Sequence, residues 1–402
     1  MVRTLAFAAL WVFIFGTALS GGWSVMFKLA YLLLLLVGAA WLWTRLGVRW
    51  LAVSREPVNQ RAQVGSELVE RLVVRNQSWL PMPWVEIRAD SDLPDHRARV
   101  RTLLGPEGEQ QWTLRTVCRE RGKYFLGPTA LTLGDPFGFC QRERVFPAEV
   151  AVIVYPQTID LPDFHPLEGE LPGGGRRRER VPFSTPMATS IRDYHPGDPY
   201  NRIHWPHSAR LGRLLVKEFE HDPASDVWIV LDLDRNVHFG RGADSTEEYA
   251  VTIAASLAKH FLLDNRAVGL LTHGHLVHPD RGTRQLLKVL EVLAVARARD
   301  WLGLGELLAR GSANFARGTT ALVVTPTVRQ EWLTAYAQVL QRGVGGAVVL
   351  LEARTFGYPH SSLELVGALA AANIPTYLVK RGEPLDQALL RPYLGEVHAG
   401  VG

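Results

Sequence analysis

Two long apolar runs separated by a glycine pair open the sequence. Thr4–Ser20 carries no charge, and Trp23–Trp43 carries a single one, Lys28. Both runs are within the length that a helix needs to cross the hydrocarbon layer of a membrane, about 17 to 25 residues. The pattern therefore predicts a hairpin of two transmembrane helices in residues 1–50.

Short alternating segments follow in residues 51–155. Glu67–Arg75 and Trp84–Ala89 alternate apolar and polar positions, and Asn76-Gln77-Ser78 marks a turn between them. Short strands separated by turn signals are typical of a β-sandwich. We therefore predict an all-β, immunoglobulin-like sandwich, and this region shows no catalytic constellation.

Prolines punctuate residues 156–224, which are predicted to be a linker that ends in a charged and aromatic segment. From residue 225 to residue 402, apolar strand patterns such as Asp226–Leu233 alternate with helical patterns such as Ser245–Leu263. This alternation is typical of an α/β domain with a mostly parallel sheet covered on both faces. The chain is thus predicted to have four parts, with boundaries after residues 50, 155 and 224.

The distribution of charge excludes one class of function. The chain has 44 Lys and Arg, 40 Asp and Glu, and a net charge of +4. Residues 1–50 hold four basic residues and no acid, so the remainder is neutral overall. A protein-wide surface for nucleic acid is therefore excluded. The two cysteines also exclude a disulfide scaffold.

The positions of the N-terminal charges predict an orientation in the membrane. Arg3 precedes the first apolar run, Arg45 and Arg49 follow the second, and the connecting loop is uncharged. Positive charge stays on the cytoplasmic side, so we expect a multi-pass protein of the cell inner membrane with cytoplasmic soluble domains. The alternative is a signal peptide cleaved near Thr17–Ser20, which would leave the soluble region outside.

The most distinctive segment contains nine residues in the order of a known signature. They are Arg192, Tyr194, Gly197, Asp198, Ile203, Trp205, Ser208, Ala209 and Arg210. We expect four of them to form a buried network that ties the segment to the next domain: Arg192, Asp198, Trp205 and Arg210. Removing one member of such a network would leave its partner unpaired.

Two further motifs lie upstream, Arg121-Gly122 with Gly127-Pro128, and Asp135-Pro136-Phe137-Gly138. With the nine signature residues they resemble, in order, the domain of unknown function 58 family. The resemblance implies a membrane-anchored bacterial or archaeal protein with a von Willebrand factor A-like domain. It also implies a MoxR-type AAA+ ATPase encoded nearby, and it implies no enzymatic activity.

Asp232, Asp234 and Asn236 alternate in the loop after the first strand of the α/β domain. The resemblance implies that a D-x-S-x-S loop binds a divalent cation here, and all three side chains offer an oxygen ligand. Thr283, at a helix start, resembles the family's coordinating threonine. Thr325-Pro326-Thr327 stands where an acidic ligand is expected. We therefore predict a degenerate site that binds magnesium weakly or not at all, and no other cofactor.

The same loop permits an enzymatic interpretation. In a magnesium-dependent phosphohydrolase, Asp232 would be the nucleophile and Asp234 the acid and base. That chemistry also needs a later lysine and paired acids to hold magnesium, and no paired acids follow a later strand. The chain is therefore expected not to be an enzyme.

Three histidines, His273, His275 and His278, lie near the second strand of this domain, the first two at alternate positions. Alternation places such residues on one face of a strand, where they could bind a metal. No carboxylate lies between them, so we expect a solvated edge of the sheet instead.

Together these patterns predict a membrane-anchored, non-catalytic adaptor that binds protein partners. The family resemblance makes a MoxR-type AAA+ ATPase the expected partner, besides the lipid membrane, in the assembly or remodelling of protein complexes. The alternatives are the phosphohydrolase and a structural envelope protein, which would need an external soluble region.

Overall fold

The computed structural model describes residues 2–147, 150–162, 164, 190–194, 203–218, 226–299 and 301–393. The chain divides into two compact units. The first unit is Met1–Gln157 with Leu293–Val295, and the second is Thr158–Val292 with Ala296–Gly402.

Two apolar helices begin the first unit, α1 (Val2–Gly21) and α2 (Ser24–Gly47). They pack side by side in opposite directions. The indole N–H of Trp11 donates a hydrogen bond to the carbonyl oxygen of Ala30 at 2.9 Å, which satisfies a polar group in an apolar setting.

One of these helices has the length that a membrane requires. Among the side chains that the structure describes, the stretch Ser24–Trp50 is long and apolar enough to span a bilayer, whereas the apolar part of α1, Phe7–Gly21, is shorter. Of the residues whose side chains are described, one helix rather than the predicted two is therefore long and apolar enough to span a membrane.

The β module joins α2 without an intervening linker. A Cβ on Gly47 would lie 2.6 Å from a methyl carbon of Leu133, so any larger residue would have to push this side chain aside. Arg144 donates a hydrogen bond to the carbonyl oxygen of Arg49 at 3.1 Å. A cation is favourable beside the carbonyl groups at the end of a helix, and these contacts fix the module to the helix end.

Nine strands make up the described part of this module. They are β1 (Leu51–Pro57), β2 (Arg61–Gln63), β3 (Glu67–Asn76), β4 (Met82–Ser91), β5 (Ala98–Leu104), β6 (Glu109–Val117), β7 (Gly122–Gly134), β8 (Gln141–Phe146) and β9 (Val150–Tyr155). The first sheet has the order β1-β3-β6. The second has the order β2-β9-β7-β4-β5, with β8 paired to β7. The predicted β-rich region is confirmed.

Alternation along the strands places one face of each sheet inside. Leu72 and Val74 of the first sheet share an apolar cluster with Ile87, Leu131 and Leu133 of the second. The two sheets therefore pack face to face around a common core, as alternating strands require.

A buried charged group crosses this core. The guanidinium of Arg55 in β1 is paired with the carboxylate of Glu70 in β3. The Nε2 atom of His96 lies 3.1 Å from the same carboxylate. Arg55 also donates to the carbonyl oxygens of Asp90 and Gly127 in the second sheet, at 2.8 and 2.7 Å. We call these side chains the Arg55–Glu70–His96 cluster, and it links the two sheets.

The hydrogen bonds of this cluster decide its charge. Burial acts to raise the pKa of Glu70, but hydrogen bonds from His96 and Arg55 outweigh it and hold the pKa below its ordinary value. Glu70 is therefore ionised at neutral pH. Its carboxylate forms an ion pair with the guanidinium of Arg55, and the N–H groups of that guanidinium are hydrogen-bonded within the cluster and to the second sheet.

A small hairpin carries the signature segment of the second unit. Strands β10 (Ser190–Asp193) and β11 (Leu215–Glu218) pair antiparallel, and α3 (Trp205–Leu211) lies between them in the chain.

The main sheet of this unit has six strands. Its elements are β12 (Val227–Leu231), α4 (Thr246–Leu263), β13 (Val268–Thr272), β14 (His275–Asp280), α5 (Thr283–Val295), α6 (Leu304–Gly311), β15 (Thr320–Thr325), α7 (Trp332–Gln341), β16 (Gly345–Leu351), α8 (Leu363–Ala371), β17 (Thr376–Val379) and α9 (Leu385–Ala388). The strand order is β14-β13-β12-β15-β16-β17. All pairs are parallel except β13 with β14.

The predicted α/β region is confirmed, with a mixed sheet. Every residue of β12 is buried, as expected of a strand covered on both faces. The carboxyl ends of β12, β13 and β15 meet at one edge of the sheet, and this edge positions the candidate site.

The first residues of the predicted linker pack against the α/β unit. The backbone N–H of Ile159 donates to the hydroxyl of Ser256 in α4 at 2.9 Å. The ring of Phe164 is buried against those of Phe261 and Tyr377. This part of the chain is therefore a structured arm. The rest of the proline-rich stretch, up to residue 189, lies outside the described residues.

Candidate functional site

Asp232 is the residue that directly follows β12 at the carboxyl edge of the sheet. Its backbone N–H donates to the carbonyl oxygen of Val324 in β15, at 3.0 Å. On the other side, Leu231 pairs with Thr272 of β13, so His273 also reaches this edge. Ligands of parallel sheets bind at such edges, so a functional site is expected here.

The carboxylate of Asp232 is fully buried and both of its oxygens are engaged. The hydroxyl of Thr325 donates to Oδ2 at 2.7 Å, and the backbone N–H of Asp234 donates to Oδ1 at 3.1 Å. Burial raises the pKa of Asp232, and these two hydrogen bonds offset part of the rise. The group is thus held as an internal hydrogen-bond acceptor.

His273 is buried beside this loop, and both of its ring nitrogens are occupied. Nδ1 accepts the backbone N–H of Leu233 at 3.1 Å, and Nε2 donates to the carbonyl oxygen of Leu302 at 2.6 Å. A backbone amide can only donate and a carbonyl can only accept, so these partners fix the neutral tautomer. The expectation of a solvated edge is wrong for His273, whereas His275 and His278 are exposed.

His238 is a second histidine that sequence reasoning missed. Its Nε2 donates to the main-chain oxygen of Asp232 at 2.9 Å, and its Nδ1 lies 3.1 Å from the hydroxyl of Thr246. Burial lowers the pKa of His238, which favours the neutral ring. Neither His238 nor His273 has a ring nitrogen left for a proton transfer or a metal.

Asp234 and Asn236 form a local turn in the same loop. The Oδ1 atom of Asp234 accepts two hydrogen bonds from Asn236, from the backbone N–H at 3.0 Å and from the side-chain amide at 2.9 Å. Short polar side chains commonly bond their own backbone two residues on. The alternating oxygens that predicted a cation site therefore stabilise the loop itself.

Thr283 lies at the opposite edge of the sheet. Strand β14 runs antiparallel to β13, so Asp280 returns to pair with Val268 at the amino end of that strand. Asp280 is therefore about 13 Å from the carboxyl edge, given the rise per residue of a strand, and Thr283 follows three residues later. The prediction that Thr283 joins the Asp232 loop is therefore wrong, because the direction of β14 separates them.

The residues present do not complete a cation site. Asp232, Asp234 and Asn236 come together, but Thr325 stands in the expected acidic position and donates directly to Asp232. In the part of the chain that the structure describes, no group of three or more His, Cys, Asp or Glu could hold a metal ion.

The phosphohydrolase arrangement is not assembled either. A nucleophile must reach its substrate, and Asp232 is fully buried with both oxygens bonded. Lys380 follows β17, three strands from β12, or about 14 Å along the sheet. Lys288 lies on α5, which begins at the opposite edge.

The signature residues divide into an inner and an outer set. Ile203 is buried and pairs with Val216, and the hydroxyl of Ser208 accepts the backbone N–H of Leu215 at 3.0 Å. The backbone N–H of Tyr194 donates to Leu214. These residues hold the hairpin together. Gly197 and Asp198 lie outside the described residues, as does the side chain of Arg192.

The outer set faces solvent. Trp205 is 62 % exposed, and Ala209 and Arg210 are exposed as well. The expected burial of Trp205 and Arg210 is wrong, because Ser208 already occupies the side of this two-turn helix that faces β11. Arg213, which follows α3, pairs at 3.1 Å with Asp193 of β10.

Two more exposed apolar residues lie close to Trp205 in the chain, Leu211 and Leu214. These two and Trp205, Arg210 and Arg213 are all exposed residues in or directly after α3, and we call this group the α3 face. Its combination of an indole ring, leucine side chains and guanidinium groups is typical of protein contact surfaces.

The chain is similar to several known proteins. It is 23 % identical over 315 residues to the Uncharacterized protein YeaD of Bacillus subtilis, with 74 % of each chain covered. Two solved structures resemble about a quarter of the chain. The CARDB domain of the PF1109 protein from Pyrococcus furiosus has 18 % identity, 26 % of this chain and 91 % of that chain covered, and a TM-score of 0.21. Spo0M, a sporulation control protein from Bacillus subtilis, has 12 % identity, 26 % and 49 % covered, and a TM-score of 0.17.

A family model matches the region that begins with the signature hairpin and ends after β16. The match covers residues 190–352, and the family is described as Protein of unknown function DUF58. The resemblance carried by the signature residues is thus confirmed, since residues 190–352 of this chain match the DUF58 family model.

Proposed function

We propose that the protein is a membrane-anchored, non-catalytic adaptor that offers the α3 face to a protein partner. The observation that carries this proposal is the exposure of Trp205 and Arg210. Both belong to the family signature, yet neither packs inside the described hairpin. Trp and Arg are the residues that most often dominate binding energy at protein interfaces.

The partner we propose is a MoxR-type AAA+ ATPase, as the family resemblance implies, and its work would be the assembly or remodelling of protein complexes. The chemistry of the α3 face supports a partner with an apolar pocket beside acidic residues. Arg210 would pair with a carboxylate at the rim while Trp205 fills the pocket.

The domain types fit this role. A parallel sheet with one antiparallel edge strand and an aspartate after its central strand supports a von Willebrand factor A-like interpretation. Two face-to-face sheets with a common core support an immunoglobulin-like interpretation of the β module. Both kinds of domain serve widely as binding modules, although a fold alone does not assign a function.

The contacts of the Asp232 loop favour an adaptor over an enzyme. The carboxylate of Asp232 and the rings of the two neighbouring histidines are all engaged in internal hydrogen bonds, so these side chains stabilise the fold of the loop. The phosphohydrolase alternative would need Asp232 to be released from Thr325 and Asp234 before any substrate could be attacked.

We expect the soluble units to lie in the cytoplasm, at the inner membrane of a bacterial cell. Arg45 and Arg49 stand at the end of α2 that joins the β module, and basic residues stay on the cytoplasmic side. A reporter fused to the C-terminus should be active as a cytoplasmic fusion and inactive as a periplasmic one. The reverse result would favour the structural envelope protein.

Partner binding can be measured with the full-length chain in detergent and the neighbouring MoxR-type ATPase of the same host. Trp205→Ala should weaken the dissociation constant at least tenfold, the usual scale for an interface hot spot. Arg210→Glu should weaken it as well. The thermal unfolding of both variants should match that of the wild type, because both side chains are exposed.

Trp79→Ala is the matched control, since Trp79 is 74 % exposed and lies outside the signature. It should bind like the wild type. If Trp205→Ala and Trp79→Ala bind equally well, the α3 face is not the contact surface. If the wild type does not bind the ATPase at all, the proposed partner is wrong.

A further inference from the structure

An apolar groove of about 320 Å³ lies where the two N-terminal helices meet the β module. Phe7, Ala8 and Trp11 of α1 line one side and Leu34 of α2 lines another, and Phe139 and Cys140 of the β7–β8 loop close one end. The volume is at the lower end of the range for small-molecule sites, about 300–1,000 Å³.

The loop that closes the groove is held in a fixed shape. The carboxylate of Asp135 accepts the backbone N–H groups of Phe137, at 2.7 Å, and of Gly138, at 2.8 Å, and also that of Cys140. Gly138 has a φ of 79°, which favours glycine. The D-P-F-G element therefore builds a rigid turn.

This turn presents aromatic rings to the helices. The ring of Phe139 lies 4.6 Å from that of Phe7 in α1 and 5.9 Å from that of Phe137. Phe137 itself is 53 % exposed. An exposed aromatic residue beside a membrane helix is typical of the level where lipid headgroups meet acyl chains.

The groove is open to the surface of α1 that would face lipid. Leu10 and Phe13 of the same helix are exposed, as is the groove residue Val12. The polar atoms at the groove are already satisfied or neutral. The N–H of Trp11 is bonded to Ala30, and burial together with Asp135 raises the pKa of the Cys140 thiol. The walls therefore suit a hydrocarbon.

We propose that this groove binds one acyl chain of a membrane phospholipid, clamped between α1, α2 and the Asp135–Cys140 turn. The occupant follows from continuity, because the groove opens onto apolar helix surface next to the stretch that spans the membrane. Arg142 is exposed, lies close to Cys140 and favours an anionic headgroup. The inference rests on the membrane anchoring proposed above and adds a specific lipid site to it.

Native mass spectrometry of the full-length chain in mild detergent tests the site. With phosphatidylglycerol of sixteen-carbon chains added, the wild type should retain one lipid, and it should retain phosphatidylcholine less often. Ala8→Phe should lower the lipid-bound fraction at least fivefold, because the ring occupies the groove. Ala9→Phe is the matched control on a neighbouring exposed alanine that does not line the groove, and it should bind like the wild type.

Equal lipid retention by Ala8→Phe and the wild type would overturn the site. So would a wild type that retains no lipid, an outcome that would leave the groove to a helix of a partner protein. Alkaline extraction of membranes separates this failure from loss of the anchor, since an anchored chain stays in the membrane fraction either way. If Ala8→Phe does not accumulate, Val12→Trp with Phe13→Trp as control makes the same comparison.

Discussion

Replacing Glu70 by alanine is expected to lower the free energy of unfolding of the β module by about 3–5 kcal/mol. The substitution leaves the guanidinium of Arg55 buried between the two sheets without its carboxylate, and a buried charge without a partner is strongly destabilising. For a module of this size the midpoint of thermal unfolding should fall by on the order of 10 °C or more. Thermal unfolding with peptide-resolved hydrogen exchange assigns the loss to β1 and β3.

Glu143→Ala is the control for this experiment. Glu143 pairs with Arg88 at 3.0 Å, but both side chains are exposed, so its removal should cost at most about 1 kcal/mol. Similar losses for the two variants would show that the Arg55–Glu70–His96 cluster does not hold the sheets together. Replacing Arg55 and Glu70 together by Met and Leu should restore part of the loss, since no buried charge remains.

The same cluster predicts a dependence on pH. The pKa of Glu70 is lowered in the folded chain from an ordinary value of 4.5. Its stabilising contribution is therefore complete above about pH 4.5 and is lost as the pH falls through the folded value. The difference in stability between the wild type and Glu70→Ala should be constant near neutral pH and shrink in more acidic solution.

Asp232→Ala is expected to destabilise the α/β unit by about 3 kcal/mol. It leaves two buried donors unpaired, the hydroxyl of Thr325 and the backbone N–H of Asp234, at about 1–3 kcal/mol each. Asp232→Asn should cost less because its amide oxygen still accepts one of them. Hydrogen exchange of β12 and β15 measures the loss, and Asp264→Ala, at an exposed helix end, is the control.

Calorimetry with magnesium and manganese completes this experiment. The wild type should show weak binding or none, and the same result should hold for Asp232→Ala. Tight binding that disappears in the variant would restore the metal interpretation. An Asp232→Ala protein that is as stable as the wild type, but loses a measurable phosphatase activity, would support the enzyme instead.

The spacing of apolar residues predicted the main architecture, because this spacing is determined by which side chains are buried. The apolar run around β12 and the alternation along β3 each report which side chains are inside, whatever lies across from them. The same pattern even contained the buried glutamate, since Glu70 stands at an inward position between Leu68 and Leu72. Its partners could not be predicted, because Arg55 and His96 lie on other segments of the chain.

Predicting the candidate site required the direction of each strand, and the pattern of apolar residues does not give that direction. A short edge strand can run either way, and the antiparallel course of β14 moved Thr283 to the far edge of the sheet. His273 was misjudged for a related reason. The residue after a buried strand can turn inward when backbone groups such as those of Leu233 and Leu302 need partners, and composition does not show that need.

The direct junction between α2 and the β module has a mechanical consequence. Gly47 packs against the module, and Arg144 is hydrogen-bonded to the backbone just after the helix. The helix and the module are therefore joined without a flexible linker. A pull or a twist applied to the β module would be transmitted to the helix immediately. Force exerted on the module at the membrane surface would therefore tilt or rotate the helix within the bilayer.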